Sequence, residues 1–293
     1  MKEIRHLSLW LSLFIVCCLT ACRNEQVPVG DRPVVVVSIE PLRYFTEQIA
    51  GDRMRVVTMV PGGSSPETYE PSPQQLVDLD NSVAYFRVGT LGFEQTWMAK
   101  FVDNAPGLKV YDTSEGIEPV REERRHTVRM VTVTDPHTWT SPGGARVIAR
   151  NICRALCELD SAGTPDYRRR LDSLTARIDS VDGVVRRILA DVRHRSFLVY
   201  HPAFGHFARD YGLRQISIES EGREPTPAQL RRLVSRCRSE QVEVVLVQKE
   251  YDPSAVSQIA RDVGARVATV DPLAYDWPGE MTRVAYEIAH GKK

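Results

Sequence analysis

The sequence has few cysteines and none of the spacings that form common cysteine-based metal motifs. Six cysteines occur in 293 residues, and no CxxC pair is among them. HExxH, GxSxG and phosphate-binding glycine motifs are also missing from the sequence, so it offers no support for the hydrolase and nucleotide-binding classes that these motifs identify. We interpret Cys153, Cys157 and Cys237 as small buried side chains, although two of them could pair in an oxidising compartment.

Neither sign of charge is in excess. The sequence contains 38 Lys and Arg against 38 Asp and Glu, which gives a formal net charge of zero. Nucleic-acid binding depends on clustered positive charge that neutralises phosphates, so we do not expect a nucleic-acid partner. With 42% hydrophobic and 26% charged residues, the chain has the composition of two modest folded domains or one large one.

The apolar run near the N-terminus is too short to cross a bilayer as a helix. It covers residues 7–19 behind a basic start, which is the pattern of a secretory signal peptide. It ends in Leu19-Thr20-Ala21-Cys22, which resembles a bacterial lipobox; an ordinary secretory signal is the alternative. We therefore predict a signal peptide over 1–21, lipidation of Cys22 and a tether over 22–32. Two or more acyl chains anchor stably, so the protein is expected on the periplasmic face or the cell surface.

From Pro33 onward, strand-like runs alternate with helical stretches. This alternation predicts mostly parallel sheets covered by helices. It is interrupted by one long helical stretch and then restarts, whereas the charged residues 117–133 resemble an exposed loop entering a strand. We predict an α/β fold of two lobes joined by one long rigid helix, with an N-terminal lobe over 33–163, the helix over 164–193 and a C-terminal lobe over 194–293.

The long helical stretch carries a heptad stripe of apolar residues. The spacing alternates between three and four residues, and the stripe consists of Leu171, Leu174, Ile178, Val181, Val185, Ile188 and Val192. At about 1.5 Å per residue the helix would extend roughly 40 Å, the span of a whole domain. A dimeric coiled coil is one interpretation. Because only three heptads are present between globular segments, we predict a monomer in which the helix lies along both lobes.

Four side chains suited to metal binding follow strand-like runs. Glu67 comes after the run 55–60, and His137, His201 and Asp271 each follow a later run. Ligands in α/β proteins gather outside the carboxyl ends of the strands. Two imidazoles and two carboxylates suit a divalent transition metal. Since each predicted lobe supplies two of these residues, the sequence predicts a metal cleft between the lobes.

Several longer segments match one family in order and content. They are Val37-Ser38-Ile39-Glu40-Pro41-Leu42, Val60-Pro61-Gly62-Gly63-Ser64-Ser65-Pro66 with Tyr69-Glu70-Pro71-Ser72-Pro73, Asp135-Pro136-His137-Thr138-Trp139, His201-Pro202-Ala203-Phe204 with Phe207-Ala208-Arg209-Asp210-Tyr211-Gly212-Leu213, and Asp271-Pro272-Leu273. Together they resemble the solute-binding lipoproteins of ABC importers for zinc and manganese, over essentially all of the sequence after the predicted signal peptide.

The resemblance implies a protein that binds one divalent cation between two lobes and delivers it to a membrane permease. The ATPase would be a separate subunit, since this sequence has no Walker motif. The family pattern assigns the ligands to Glu67, His137, His201 and Asp271. Manganese members carry Glu at the third position and zinc members His, so His201 favours zinc. Glu67 replaces the usual His, which shifts the ligand set towards oxygen and keeps manganese or iron as alternative cargo.

Two other classes of function stay open at this point. In a zinc-dependent hydrolase, Glu67 would act as a general base while the other three ligands left one position for water. An adhesin or structural lipoprotein is the second alternative. Glu70 competes with Glu67 as a ligand, Asp135 is a candidate for orienting an imidazole, and His206 is interpreted as a surface or packing residue. We predict a carrier and not an enzyme.

Overall fold

Two four-stranded parallel sheets and one hairpin form the frame of the computed structural model, which describes residues 32–126, 129–219 and 225–291. The first sheet has the order β2-β1-β3-β4, and its strands are β1 (Val34–Val37), β2 (Arg55–Thr58), β3 (Ala84–Arg87) and β4 (Lys109–Asp112). An antiparallel hairpin follows, made of β5 (Arg121–His126) and β6 (Arg129–Thr134). The second sheet has the order β10-β9-β7-β8, and its strands are β7 (Ser196–Val199), β8 (Arg214–Ser217), β9 (Val244–Gln248) and β10 (Arg266–Val270).

Helices connect the strands and cover the sheets. They are α1 (Glu40–Ala50), α2 (Pro73–Asp80), α3 (Gly92–Asn104), α4 (Pro142–Leu159), α5 (Thr164–Leu189), α6 (Gly205–Asp210), α7 (Pro227–Ser239), α8 (Ser254–Val263) and α9 (Trp277–Ala289). Local sequence explains several of the helix starts. Ser72 and Thr226 each form a capping box with a glutamine three residues later, which satisfies backbone N–H groups that the first turn leaves unpaired.

The strand sequences explain why both sheets are buried. β1 consists of four valines, and every residue of β9 is buried. A strand covered by helices on both faces is apolar along its whole length instead of alternating. The predicted α/β fold with two mostly parallel sheets is therefore confirmed.

Helix α5 fills the position that the heptad stripe predicts. Leu174, Ile178, Val181 and Val185 are buried, as are Tyr167 and Leu189. The helix contacts α1 and α4 from the first half of the chain and α9 from the second. The prediction of one long helix packed along both halves is confirmed, although the helix ends at Leu189 and leaves Val192 outside it.

The region 117–133 differs from its prediction. The strand predicted at the end of this segment is present as β6, but Arg121–His126 form a further strand, β5, where a loop was predicted. β5 pairs with β6, and neither strand pairs with a parallel sheet. His137 therefore follows a hairpin strand and not a strand of the first sheet. The position of this histidine is consequently not explained by the carboxyl end of a parallel strand.

Residues Pro33–Lys293 form one compact unit, and one apolar core extends from the first sheet through α5 into the second. The boundaries 33–163, 164–193 and 194–293 stay a prediction. Cys153, Cys157 and Cys237 are unpaired, and the first and last are buried. Within the described ranges, no helix combines the length and the apolar character needed to cross a membrane. The predicted signal peptide and Cys22 lie outside the described residues.

Candidate metal site

Glu67 lies on the loop between β2 and α2, and the start of α3 holds that loop in place. The backbone N–H of Phe93 donates to the carbonyl of Pro66 at 3.1 Å, and the N–H of Glu67 donates to Ser65 Oγ at 3.3 Å. A Cβ at position 92 would stand 2.5 Å from the Glu67 carbonyl oxygen and 3.0 Å from Oε2. Only glycine fits this contact, so Gly92 permits Glu67 to lie against the first turn of α3.

The His137 ring is oriented by a carboxylate two residues earlier. Asp135 Oδ1 accepts from His137 Nδ1–H at 2.7 Å and from the His137 backbone N–H at 2.9 Å. Burial acts to raise the pKa of Asp135, but His137 and His206 beside it hold that pKa below its usual value. Fixing the proton on Nδ1 leaves the Nε2 lone pair available, and metal-binding histidines usually donate their other ring N–H to a carboxylate in this way.

His206 stabilises the same turn from the other half of the chain. It lies on α6, is fully buried, and its Nε2–H donates to the Asp135 carbonyl at 3.2 Å. Burial lowers the pKa of His206. The preceding residue, Gly205, allows this approach, because a Cβ there would stand 2.3 Å from Asp135 Oδ2. His206 is thus a packing residue, and its bond across 71 positions has no local sequence pattern.

His201 follows β7 and is held by Gln248 at the end of β9. The His201 N–H donates to Gln248 Oε1 at 3.2 Å, and Gln248 Nε2–H donates back to the His201 carbonyl. Glu219 Oε2 lies 3.4 Å from His201 Nδ1, although that nitrogen lacks the geometry of a hydrogen bond. Gln248 and Glu219 are both buried. Neither residue is marked by a sequence pattern, because both act on His201 from distant parts of the chain.

Three of the four predicted ligands converge. His137 Nε2 lies 3.3 Å from His201 Nε2 and 4.0 Å from Glu67 Oε1, and one donor atom from each residue lies within 4.8 Å of the other two. Two nitrogens bound at 2.0–2.1 Å to a tetrahedral zinc would be about 3.3 Å apart. Glu67 Oε1 is buried without a hydrogen-bond partner, so it is available to bind a cation. The donor set therefore fits one ion of this size.

Asp271 is adjacent to this group but does not belong to it. Its Oδ1 accepts from the N–H of Leu273 at 3.1 Å, and its Oδ2 lies 3.7 Å from Lys249 Nζ. Its own N–H donates to Glu280 Oε1 at 2.7 Å, and burial raises the pKa of that glutamate to about 7. Glu70, the competitor of Glu67, is exposed and is also outside the group. The complete four-ligand set stays a prediction.

The three donors open into a narrow cavity. Its walls include Trp139, Gln248, Glu250, Tyr251 and Leu273. The cavity volume of about 20 Å³ accommodates roughly one water-sized particle. A single bare cation fits this space.

Two tryptophans fix the loops beneath the cavity. Trp139 Nε1–H donates to the carbonyl of Pro272 at 2.7 Å, and Trp277 Nε1–H donates to the carbonyl of Trp139 at 2.6 Å. Both indoles are buried, so these bonds satisfy polar groups that would otherwise be costly to bury. They connect the loop after His137 to the loop after Asp271.

Comparison with known proteins gives a consistent result. Residues 35–289 match the family described as zinc-uptake complex component A, periplasmic (ZnuA). The high-affinity zinc uptake system protein ZnuA of Bacillus subtilis is 25% identical over 287 residues, covering 90% of this chain and 88% of that protein. The manganese ABC transporter substrate-binding lipoprotein PsaA of Streptococcus anginosus is 26% identical, covering 88% and 87% respectively. The crystal structure of a ZnuA deletion mutant with zinc bound has a TM-score of 0.81 and 37% identity, covering 88% of this chain and 97% of that one.

Proposed function

Because this chain belongs to the ZnuA family, we propose that it captures a zinc ion and delivers it to an ABC permease. The family consists of solute-binding components of metal importers and not of enzymes. Family membership thus contradicts the hydrolase alternative, and the prediction that the chain is not an enzyme is confirmed.

One observation supports zinc as the cargo. Two imidazole nitrogens and one carboxylate oxygen lie within 4.8 Å of one another in a cavity that fits one ion. Imidazole suits zinc, whereas manganese prefers sites made mostly of oxygen. Since two of the three converging donors are nitrogens, zinc is the favoured cargo and manganese is the alternative.

We assign the fourth position to Asp271, which must leave its contact with Lys249 to reach the ion. Those two groups are 3.7 Å apart, and the lysine side chain is largely exposed, so the ion pair is weak. With Glu67 and Asp271 ionised and both histidines neutral, the ligand charges cancel those of a divalent ion. Cancelled charge lowers the cost of burying the ion in a narrow cleft.

The proposed carrier is a monomer anchored by a lipid on Cys22, which positions it beside a permease in the same membrane. The sequence carries no nucleotide-binding motif, so the ATPase is a separate subunit. The apolar stripe of α5 is buried within the chain, and this supports a monomer over a coiled-coil dimer.

The metal-free chain is expected to take up one equivalent of zinc and gain thermal stability. A ligand that binds only the folded state stabilises it by about 2.7 kcal/mol at a free concentration of 100 Kd. For a chain of this size that corresponds to a rise in Tm of roughly 5–10 °C. Isothermal titration and thermal melts give the stoichiometry and the shift, with magnesium as the control ion. Absence of both zinc uptake and the Tm shift would contradict the proposal.

The lipid anchor is tested by Cys22→Ser. Cleavage and acylation at a lipobox require the cysteine thiol, so this variant should incorporate no palmitate and leave the membrane fraction. Radiolabelled palmitate in cells that express the full chain measures incorporation, and Cys153→Ser is the matched control because Cys153 is buried in α4. Continued labelling of Cys22→Ser would show that lipid is attached elsewhere or that the lipobox is not used.

A further inference from the structure

A carboxylate outside the predicted ligand set also faces the cavity. Glu250 lies in the turn directly after β9 and lines the same cavity as Glu67, His137 and His201. Its Oε1 is buried and has no hydrogen-bond partner. Buried polar atoms are nearly always paired, and an exception requires a physical explanation such as a bound ion.

Asp271 and Glu250 occupy neighbouring strand ends but differ in their partners. In the parallel pair β9–β10, Gln248 is in register with Val270, so the residues after each strand lie side by side. Asp271 Oδ1 is occupied by the Leu273 N–H, and Oδ2 faces Lys249. Asp271 does not line the cavity, whereas Glu250 does. Neither carboxylate belongs to the group of three converging donors. Glu250 Oε1 has no hydrogen-bond partner, so Glu250 has fewer contacts to break before it binds an ion there.

The surroundings of Tyr251 place Glu250 in the same electrostatic environment as two other site carboxylates. Burial raises the pKa of the Tyr251 hydroxyl, and Glu219, Glu250 and Glu67 each add to that rise. The Tyr251 ring also stacks on His201, with ring centroids 6.3 Å apart. Carboxylates from both halves of the chain thus lie close to one side chain of the cavity wall.

We propose that Glu250 is a further direct ligand of the bound divalent metal, in addition to Glu67, His137, His201 and Asp271. This inference rests on the proposed function, because it concerns the same cavity and cargo. Glu250 adds a third oxygen to a set of two nitrogens and two oxygens, which raises affinity for oxygen-preferring ions as well as for zinc. Lys249, next to Glu250 and 3.7 Å from Asp271, offsets part of the added negative charge.

The test measures zinc and manganese affinity for Glu250→Gln by competition with a chromophoric chelator. Removing groups that only orient ligands already costs about 10- to 100-fold in affinity, so losing a direct ligand should cost at least about tenfold for both metals. Asp252→Asn is the matched control. It removes the same charge from an exposed side chain that lies two residues after Glu250. Glu250→Ala checks that the glutamine amide does not replace the lost oxygen, and metal-free melts check that both variants fold.

Cobalt absorption spectra report the coordination directly. If Glu250 binds the metal, Co²⁺ bound to Glu250→Gln should show d–d bands that differ in position and intensity from those of the original chain and of Asp252→Asn. Unchanged affinity and an unchanged cobalt spectrum in Glu250→Gln, in a chain that binds zinc normally, would overturn this assignment alone. The proposed function would instead fail if the original chain took up no zinc.

Discussion

Replacing either His137 or His201 by alanine is expected to remove most of the zinc-dependent stabilisation. Their Nε2 atoms lie 3.3 Å apart, close to the separation that a tetrahedral zinc imposes on two nitrogen ligands. Losing one imidazole leaves an incomplete ligand set, in which water is a poor replacement. Zinc affinity should therefore fall by more than the roughly 100-fold that is lost when an orienting residue is removed. A 100-fold loss would reduce a stabilisation of about 2.7 kcal/mol to about 0.4 kcal/mol at the same zinc concentration.

The measurement is the Tm of each variant with and without zinc, supported by chelator competition. His290→Ala is the control, because this exposed histidine follows α9 and is outside the three-donor group. Asp135→Asn should give an intermediate loss of zinc affinity, about 10- to 100-fold, since it removes only the charge that orients His137. A full zinc-dependent Tm shift in His137→Ala or His201→Ala would show that the substituted residue is not a ligand.

Regular periodicity made much of the fold predictable from the sequence. The heptad stripe that includes Leu174, Ile178, Val181 and Val185 became the buried face of α5. Alternating strand and helix patterns similarly gave two parallel sheets. Strand β5 was not predicted, because Arg121–His126 consist of charged residues and one histidine and lack the apolar alternation by which sequence patterns reveal a strand.

The candidate site was predictable only in part, for a different reason. Glu67, His137 and His201 were found by residue type and family resemblance, and their donor atoms do converge. The groups that position them are held by bonds between distant parts of the chain. Gln248 brackets the backbone of His201 from 47 residues away, and His206 reaches the Asp135 carbonyl across 71 residues. Such bonds have no spacing pattern, so only the fold reveals them.

The resemblance implies a histidine at the position of Glu67, and we expect this carboxylate to determine the choice of metal. Its Oε1 is buried, unpaired and 4.0 Å from His137 Nε2, so it can reach a shared ion with a small adjustment. Glu67→Ala should lower the affinity for every divalent ion by about tenfold or more, because water replaces an ionised ligand. Glu67→His should retain zinc binding and weaken manganese binding, since imidazole suits zinc and manganese prefers oxygen. Competition titrations with both metals measure the ratio of the two affinities.

Gly92 provides an independent way to disturb the same ligand. A Cβ at this position would stand 2.5 Å from the Glu67 carbonyl oxygen, a contact that real side chains do not make, so Gly92→Ala must displace Glu67. The variant should therefore lower the affinity for zinc, as Glu67→Ala does. The double variant should lose little more zinc affinity than Glu67→Ala alone, because the effects of residues in contact are not additive. Thr96→Ala is the control, since this exposed residue lies on the same helix one turn further on. If Glu67→Ala leaves both metal affinities unchanged, Glu67 is not a ligand; additive losses in the double variant would instead mean that Gly92 acts on the site through another group.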